Sequence, residues 1–334
     1  MNGGSKVEHN NVETIYNFLD ESAEQIVRQM DQPYLDSLAQ ALEYFLTEET
    51  TGELNEFALQ HLRKKASELD INSFEREEIR KAIQLASLKG MKGATQQQHL
   101  VTPDTVAMFA GYLANKLMKD RNPVRLFDPA CGTGNLLTAV HNQLPQQTVP
   151  FGSEVDPTLI KIALMSANLQ QIDMELFHQD SLRPFVMEPA DLIVSDLPVG
   201  YYPDDIIAND YELKAEEGHS YAHHLLIEQS IRYTRDGGYL VLIIPNFLFD
   251  SDQAPKLNTF LQKNTHIFGI VQLPESIFKS EQNAKSIFLL QKKGQDTKAP
   301  KEALMAKLPS FKNVHAMNDI LVKINQWFKQ EGIS

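Results

Sequence analysis

The stretch Leu126-Phe127-Asp128-Pro129-Ala130-Cys131-Gly132-Thr133-Gly134-Asn135-Leu136-Leu137 constrains the fold more than any other part of the chain. A short apolar run ends in an acid, turns through two glycines and opens a helical pattern. The glycines let backbone approach a nucleotide-like ligand with no Cβ in the way. The third glycine of the dinucleotide fingerprint is missing, because the third position after Gly134 is Leu137. The turn is therefore not suited to a pyrophosphate on a helix N-terminus. An acid ahead of the glycines suits a cation, and S-adenosylmethionine carries an ammonium and a sulfonium with no phosphate.

The rhythm on either side of this turn divides the chain. Up to residue 95, apolar residues recur at three- and four-residue spacing over 12–18, 26–30, 35–45, 57–66 and 74–88, which predicts helices. Thr51-Gly52 interrupts the pattern, and Gly90, Gly93 and Gln96-Gln97-Gln98 mark a linker. Strands are then expected at 124–127, 149–155, 174–178, 191–195, 239–244, 267–273 and 286–291, with helices at 134–143, 157–169 and 221–234. Such alternation implies a mostly parallel sheet covered on both faces. Only a loop separates the last two strands, so they pair antiparallel. The expected fold is α/β, a Rossmann-like seven-stranded sheet with its last strand antiparallel, behind an N-terminal all-helical domain. The expected domains are 1–95 (helical), 96–295 (the sheet) and 296–334, a basic helical extension with an amphipathic helix at 314–328.

Composition narrows the function classes. The chain has 334 residues, enough for a large core. No apolar run reaches membrane-span length, and no apolar stretch follows the first lysine, so neither a span nor a secretory signal is expected. Cys131 is the only cysteine, which excludes an internal disulfide and suits a reducing cytoplasm. A net charge of −13 does not suit a protein that grips nucleic acid unaided. Residues 285–334 stand apart, with nine lysines against four acids. They form either a phosphate-contacting tail or an ordinary solvated surface. No metal-ligand spacing occurs; the neighbouring pair His223-His224 points apart on a helix.

The Asp128–Gly134 wording resembles the first motif of class I S-adenosylmethionine-dependent methyltransferases. It is similar in detail to adenine amino-methyltransferases, above all the modification subunits of type I restriction systems and the small YtxK-type methyltransferases. The likeness runs over roughly 98–293 and more loosely through the N-terminal helices. It implies that Asp128 holds the cofactor's amino-acid part, with Pro129, Ala130, Cys131, Gly132, Thr133, Gly134, Asn135 and Leu136 around it. Glu154, at a strand end twenty residues after Gly134, is placed to accept the ribose hydroxyls. Val155 packs on the adenine ring, while Asp156 caps the next helix. Asp180, followed by Ser181, resembles the acid that meets the adenine amino group. Thr102-Pro103, in Gln98-His99-Leu100-Val101-Thr102-Pro103, resembles the step that closes the cofactor pocket.

The catalytic loop is then Ser195-Asp196-Leu197-Pro198-Val199-Gly200-Tyr201-Tyr202. An exocyclic amine is a poor nucleophile because its lone pair is delocalised into the ring. A side-chain oxygen of Asp196 and the carbonyl of Leu197 can accept its two hydrogens, with Pro198 stiffening the loop. The family places an aromatic at position 199 to stack on a flipped-out base, and valine stands there instead. Tyr201 and Tyr202 are the candidate replacements, or else simply loop aromatics packed on the surface. The resemblance implies methyl transfer to an amino nitrogen, with adenine in DNA as the usual target, reached through a partner subunit. RNA or a protein side-chain amide is the alternative acceptor. A non-catalytic cofactor-binding regulatory or assembly protein is the reading of another class.

Overall fold

The computed structural model describes residues 9–49, 54–92, 101–278 and 280–333. Four helices come first: α1 (His9–Met30), α2 (Tyr34–Thr47), α3 (Glu56–Glu68) and α4 (Arg76–Lys92). The two short runs expected over 12–30 form one continuous helix. Gly90, expected in a linker, lies inside α4. Gly93, Gln96-Gln97-Gln98, His99 and Thr51-Gly52 lie outside the described residues.

The α/β part follows as α5 (Asp104–Leu117), β1 (Val124–Asp128), α6 (Asn135–Gln143), β2 (Thr148–Glu154), α7 (Pro157–Leu169), β3 (Glu175–His178), β4 (Ala190–Asp196), α8 (Asp205–Ala208), α9 (Ala222–Tyr233) and β5 (Thr234–Pro245). It ends with α10 (Ala254–Asn264), β6 (Thr265–Gln272), β7 (Lys285–Lys292), β8 (Leu304–Lys307) and α11 (Val314–Gln330). The strands form one sheet in the order β3-β2-β1-β4-β5-β7-β6-β8. β7 runs antiparallel to both β5 and β6, so the reversed last strand of the expected hairpin is present.

The expected count of seven strands is corrected to eight. β8 pairs parallel with β6 and lies in the 296–334 segment expected to be helical. Of its four residues only Leu304 is buried, while Met305 and Lys307 face out. A short edge strand of that kind leaves almost no two-residue apolar period to read.

Side chains alternate across the sheet, as strand geometry requires. Val241 and Ile287 join Leu113, Leu137 and Phe328 in one apolar layer under α5, α6 and α11. Their neighbours Leu242 and Phe288 join Phe127, Ile193 and Leu225 in the other layer. The N-terminal helices do not stand free of the sheet domain. Ile162, Met165 and Leu169 of α7 share a core with Ile15, Leu38 and Ile83 of α1, α2 and α4. A buried charge completes the join: Arg80 on α4, 1% exposed, donates to Asn135 Oδ1 (2.7 Å), Glu77 and Asp104. Leaving such a guanidinium unpaired would cost several kcal/mol, about 3–5, so this contact fixes α4 against the start of α6.

Candidate active site

The parallel strands deliver their carboxyl ends to one rim of the sheet, and a cavity of about 910 Å³ opens there. Asp128 ends β1, Glu154 ends β2 and Asp196 ends β4, while Asp180 follows β3. All four acids line the cavity. Strand ends supply them because a chain leaving a parallel sheet must turn at that rim, where short acids satisfy free backbone N–H groups.

On one side lies the glycine turn. Gly132 and Gly134 have φ of +54° and +76°, backbone that favours glycine. A Cβ on Gly132 would meet nothing within 4 Å, so the turn leaves open space. Asp128 is 1% exposed, and its Oδ1 accepts from Ala130 N (3.0 Å) and Ser195 Oγ (2.8 Å). Burial pushes its carboxyl up to about 7, against those two hydrogen bonds, with Glu154 and Asp196 adding to the rise. Glu154 accepts backbone N–H groups from Gly132 (2.9 Å), Val155 (2.8 Å) and Asp156 (2.9 Å). Asp156 caps α7 as expected, accepting from Thr158 and Leu159. Cys131 is buried, and burial raises its thiol well above the ordinary range, which disfavours a thiolate nucleophile.

The donor chemistry fits S-adenosylmethionine. A buried acid poised near neutrality is stabilised as the anion by a cation beside it. Glu154 can still accept further hydrogen bonds, since a carboxylate offers about four acceptor positions. Val155, exposed beside it, offers an apolar face.

The other side centres on Asp196. Lys285, the first residue of β7, places Nζ 2.5 Å from Asp196 Oδ1. Thr102 Oγ1 donates to Asp196 Oδ2 at 3.0 Å. Thr102 is held in turn: its carbonyl accepts from Gln84 of α4 (2.9 Å) and from Asn135 Nδ2 (3.0 Å). Leu197 is buried and its amide donates to Ile243 O (3.1 Å), while Leu197, Pro198 and Val199 all line the cavity.

The structure gathers most of the expected residues here, including Pro129, Ala130, Thr133, Leu136 and Ser181, and redistributes several roles. Pro103, Gly134 and Tyr201 lie off the cavity wall: Pro103 precedes α5, and Gly134 backs onto Ala163. Both polar ends of the Asn135 side chain are spent on Arg80 and Thr102, and Ser181 Oγ donates to Pro129 O (2.7 Å). The two candidate tyrosines are placed differently, Tyr202 on the cavity wall and Tyr201 largely exposed beside it. Tyr202 is buried, with its hydroxyl on Asp180 Oδ2 (2.6 Å), and Tyr201 stacks on Tyr221 at 5.0 Å and 14°. The wall also offers Phe247, just after β5 and 39% exposed. Its ring meets His223 edge-on at 6.3 Å. Sequence reasoning missed Phe247 and Lys285. A lysine opening a reversed strand with an apolar centre, Ile287 to Leu290, was the available signal for the second.

His223 and His224, expected to point apart on a helix, are both fully buried on α9, and their rings meet edge to face at 5.0 Å. Burial pulls them down to about 3 and about 4, so both rings are neutral. Among the described residues no group of three or more His, Cys, Asp or Glu is placed to hold a metal ion, and no helix is long and apolar enough to cross a membrane.

Comparison with known proteins agrees with this fold. A family model described as N-6 DNA Methylase matches residues 90–330, and one described as the YtxK N-terminal helical domain matches 13–91. The chain is 47% identical over 331 residues to the protein YtxK of Bacillus subtilis, covering 97% of this chain and all of that one. It is 24% identical to the methylase subunit of the type I restriction enzyme EcoEI from Escherichia coli, covering 72% of this chain and 51% of the subunit. Among solved structures, a Listeria monocytogenes protein proposed to be a class I S-adenosylmethionine-dependent methyltransferase superposes with a TM-score of 0.90 at 40% identity, over 96% of this chain and all of that one. The modification subunit of a proposed type I restriction enzyme from Vibrio vulnificus shares the fold, with a TM-score of 0.66 at 15% identity over 98% of this chain and 86% of that one.

Proposed function

The chain belongs to the N-6 DNA methylase family, and from that premise we propose that it transfers the methyl group of S-adenosylmethionine to an amino nitrogen, with adenine in DNA as the acceptor. The observation that carries this reading is the meeting in one cavity of two sets of groups. Acids suited to a cationic nucleoside end β1 and β2 and follow β3, and the Asp196-Leu197-Pro198 step leaves β4.

Asp128 holds the amino-acid part of the cofactor, Glu154 the ribose hydroxyls and Asp180 the adenine amino group, with Val155 against the ring. When bound, the cofactor supplies an electrophilic methyl on a positively charged sulfur. Asp196 and the Leu197 carbonyl accept the two hydrogens of the acceptor amine and raise electron density on nitrogen. An Asp196 oxygen then takes the proton that the substituted nitrogen sheds. Phe247 offers the stacking face that Val199 does not.

A net charge of −13 favours a partner subunit as the source of duplex affinity. That arrangement fits the likeness to type I methylase subunits. One observation favours a second acceptor class. The segment 196–221 carries seven acids and one base, Lys214, which repels phosphate and suits a polypeptide amide.

Tritiated methyl transfer to DNA, RNA and protein fractions separates the readings. Label in DNA that digests to N6-methyladenine, and that disappears with Asp196→Ala, supports the first. Label confined to protein or RNA moves the acceptor, and no label in any fraction refutes methyl transfer.

A further inference from the structure

We propose that Lys285 is a positioning residue for methyl transfer, holding Asp196 in a fixed orientation as the hydrogen-bond acceptor for the incoming amine; this rests on the amino-methyl-transfer reading above. The topology makes the contact possible. β4, β5 and β7 are neighbours in that order, and Lys285 stands opposite Pro245 at the end of β5 while Asp196 stands opposite Ile243. Because β7 is reversed, its first residue reaches the rim where β4 ends. Two strand spacings, roughly 9–10 Å, separate the backbones, and a lysine stem spans that gap. The resulting ion pair is largely shielded, with side-chain exposures of 19% for Lys285 and 14% for Asp196.

The chemistry gives the contact a purpose. Four acids line the cavity, and among its described lining residues Lys285 is the one Lys or Arg. Lys285 sets a positive charge against Asp196 within this acidic wall. It also fixes the rotamer, since Oδ1 is held by Lys285 and Oδ2 by Thr102. A carboxylate has about four acceptor positions, so these clamps leave room for the amine. His223, within electrostatic reach of Lys285, is held neutral by burial and supplies no competing charge.

The test is a double-mutant cycle in the full chain, using the acceptor fraction found above. Lys285→Met should lower kcat roughly 10- to 100-fold, as small misplacements of reacting groups do, with KM for the acceptor changed less than about threefold. Lys285→Arg should recover most of the loss. On an Asp196→Ala background, Lys285→Met should change kcat by less than about twofold, because the two residues act as one unit. Calorimetry with S-adenosylhomocysteine checks that each variant still folds and binds. An unchanged kcat in Lys285→Met, or the same loss on the Asp196→Ala background, overturns the proposal. A readout independent of turnover is the 15N resonance of the Lys285 ammonium, expected to be protected in the wild type and lost in Asp196→Ala. Its absence from the wild type also overturns the proposal. If the wild type methylates nothing, the transfer reading fails by itself, and the resonance still decides whether the ion pair exists.

Discussion

The two halves of the cavity are built in different ways. The cofactor half comes from strand ends in sequence order, and its acids work largely through local backbone. Glu154 accepts from Val155 and Asp156, one and two residues away, and from Gly132, and Asp128 accepts from Ala130. The acceptor half is assembled from distant side chains. Asp196 is bonded to Thr102 and Lys285, which lie 94 and 89 residues from it. The first half is therefore a property of turns, and the second a property of sheet order. If that distinction holds, damage to one half should leave the other's task intact.

Asp196→Ala is the severest test. It removes the amine's side-chain acceptor, and losing one preorganised transition-state hydrogen bond costs about 100- to 1,000-fold in kcat. Calorimetric affinity for the cofactor should change by less than about threefold. An equal loss in both quantities would merge the two halves into one site. Glu154→Ala should do the converse. Charge-assisted hydrogen bonds are worth about 1.5–3 kcal/mol each, so cofactor affinity should fall about 100-fold. The melting temperature should fall as well, because three backbone N–H groups lose their partner.

The halves should also differ in pH response. Asp128 binds its proton more tightly in the folded protein (about 7) than in the unfolded chain, where an aspartate titrates at its ordinary 3.8. Its contribution to stability without cofactor is therefore present below about 4 and is lost as pH rises through about 7. A bound cation favours the ionised form. Cofactor affinity should accordingly weaken up to tenfold per unit as pH falls below about 7, and binding near pH 6 should release a proton. Calorimetry in buffers of different ionisation enthalpy measures that release, and Asp128→Asn should abolish it. The buried pair His223 and His224 has the opposite sign. Both are held neutral, so their contribution is present above about 6.5 and is lost as pH falls towards 3 to 4.

The same division explains what could be read from the residues alone. Asp128, Glu154 and Asp180 are legible because strand, acid and turn are contiguous, and the backbone fixes where such an acid must point. The helical region and the central parallel strands are legible because long apolar periods dominate them. Lys285 is not, since its nearness to Asp196 depends on β7 inserting between β5 and β6, and Phe247 is not, since its place on the wall depends on β5 lying beside β4. Adjacency in the catalytic loop did not separate Tyr201 from Tyr202: Tyr202 lines the cavity with its hydroxyl on Asp180, whereas Tyr201 stacks on Tyr221 off the wall. β8 escaped because one buried residue in four carries no period. Gly90 escaped because a glycine near a helix end reads as a break even where the helix runs on through it.

Phe247 provides the smallest and most selective probe of the acceptor half. It sits on the cavity wall, beyond the end of β5, with its ring braced edge-on by a neutral histidine. Stacking of one base on an aromatic ring is worth about 1–3 kcal/mol by alanine substitution. Phe247→Ala should therefore raise KM for a nucleobase acceptor about tenfold, with kcat and cofactor affinity close to unchanged. Phe247→Tyr keeps the ring and should keep the KM. If the acceptor is instead a polypeptide amide, which has no extended π face, the Phe247→Ala effect should shrink to about twofold and follow lost apolar area, near 25 cal/mol per Å². The size of this one effect thus separates a planar heterocyclic acceptor from an amide, whatever sequence surrounds the methylated group.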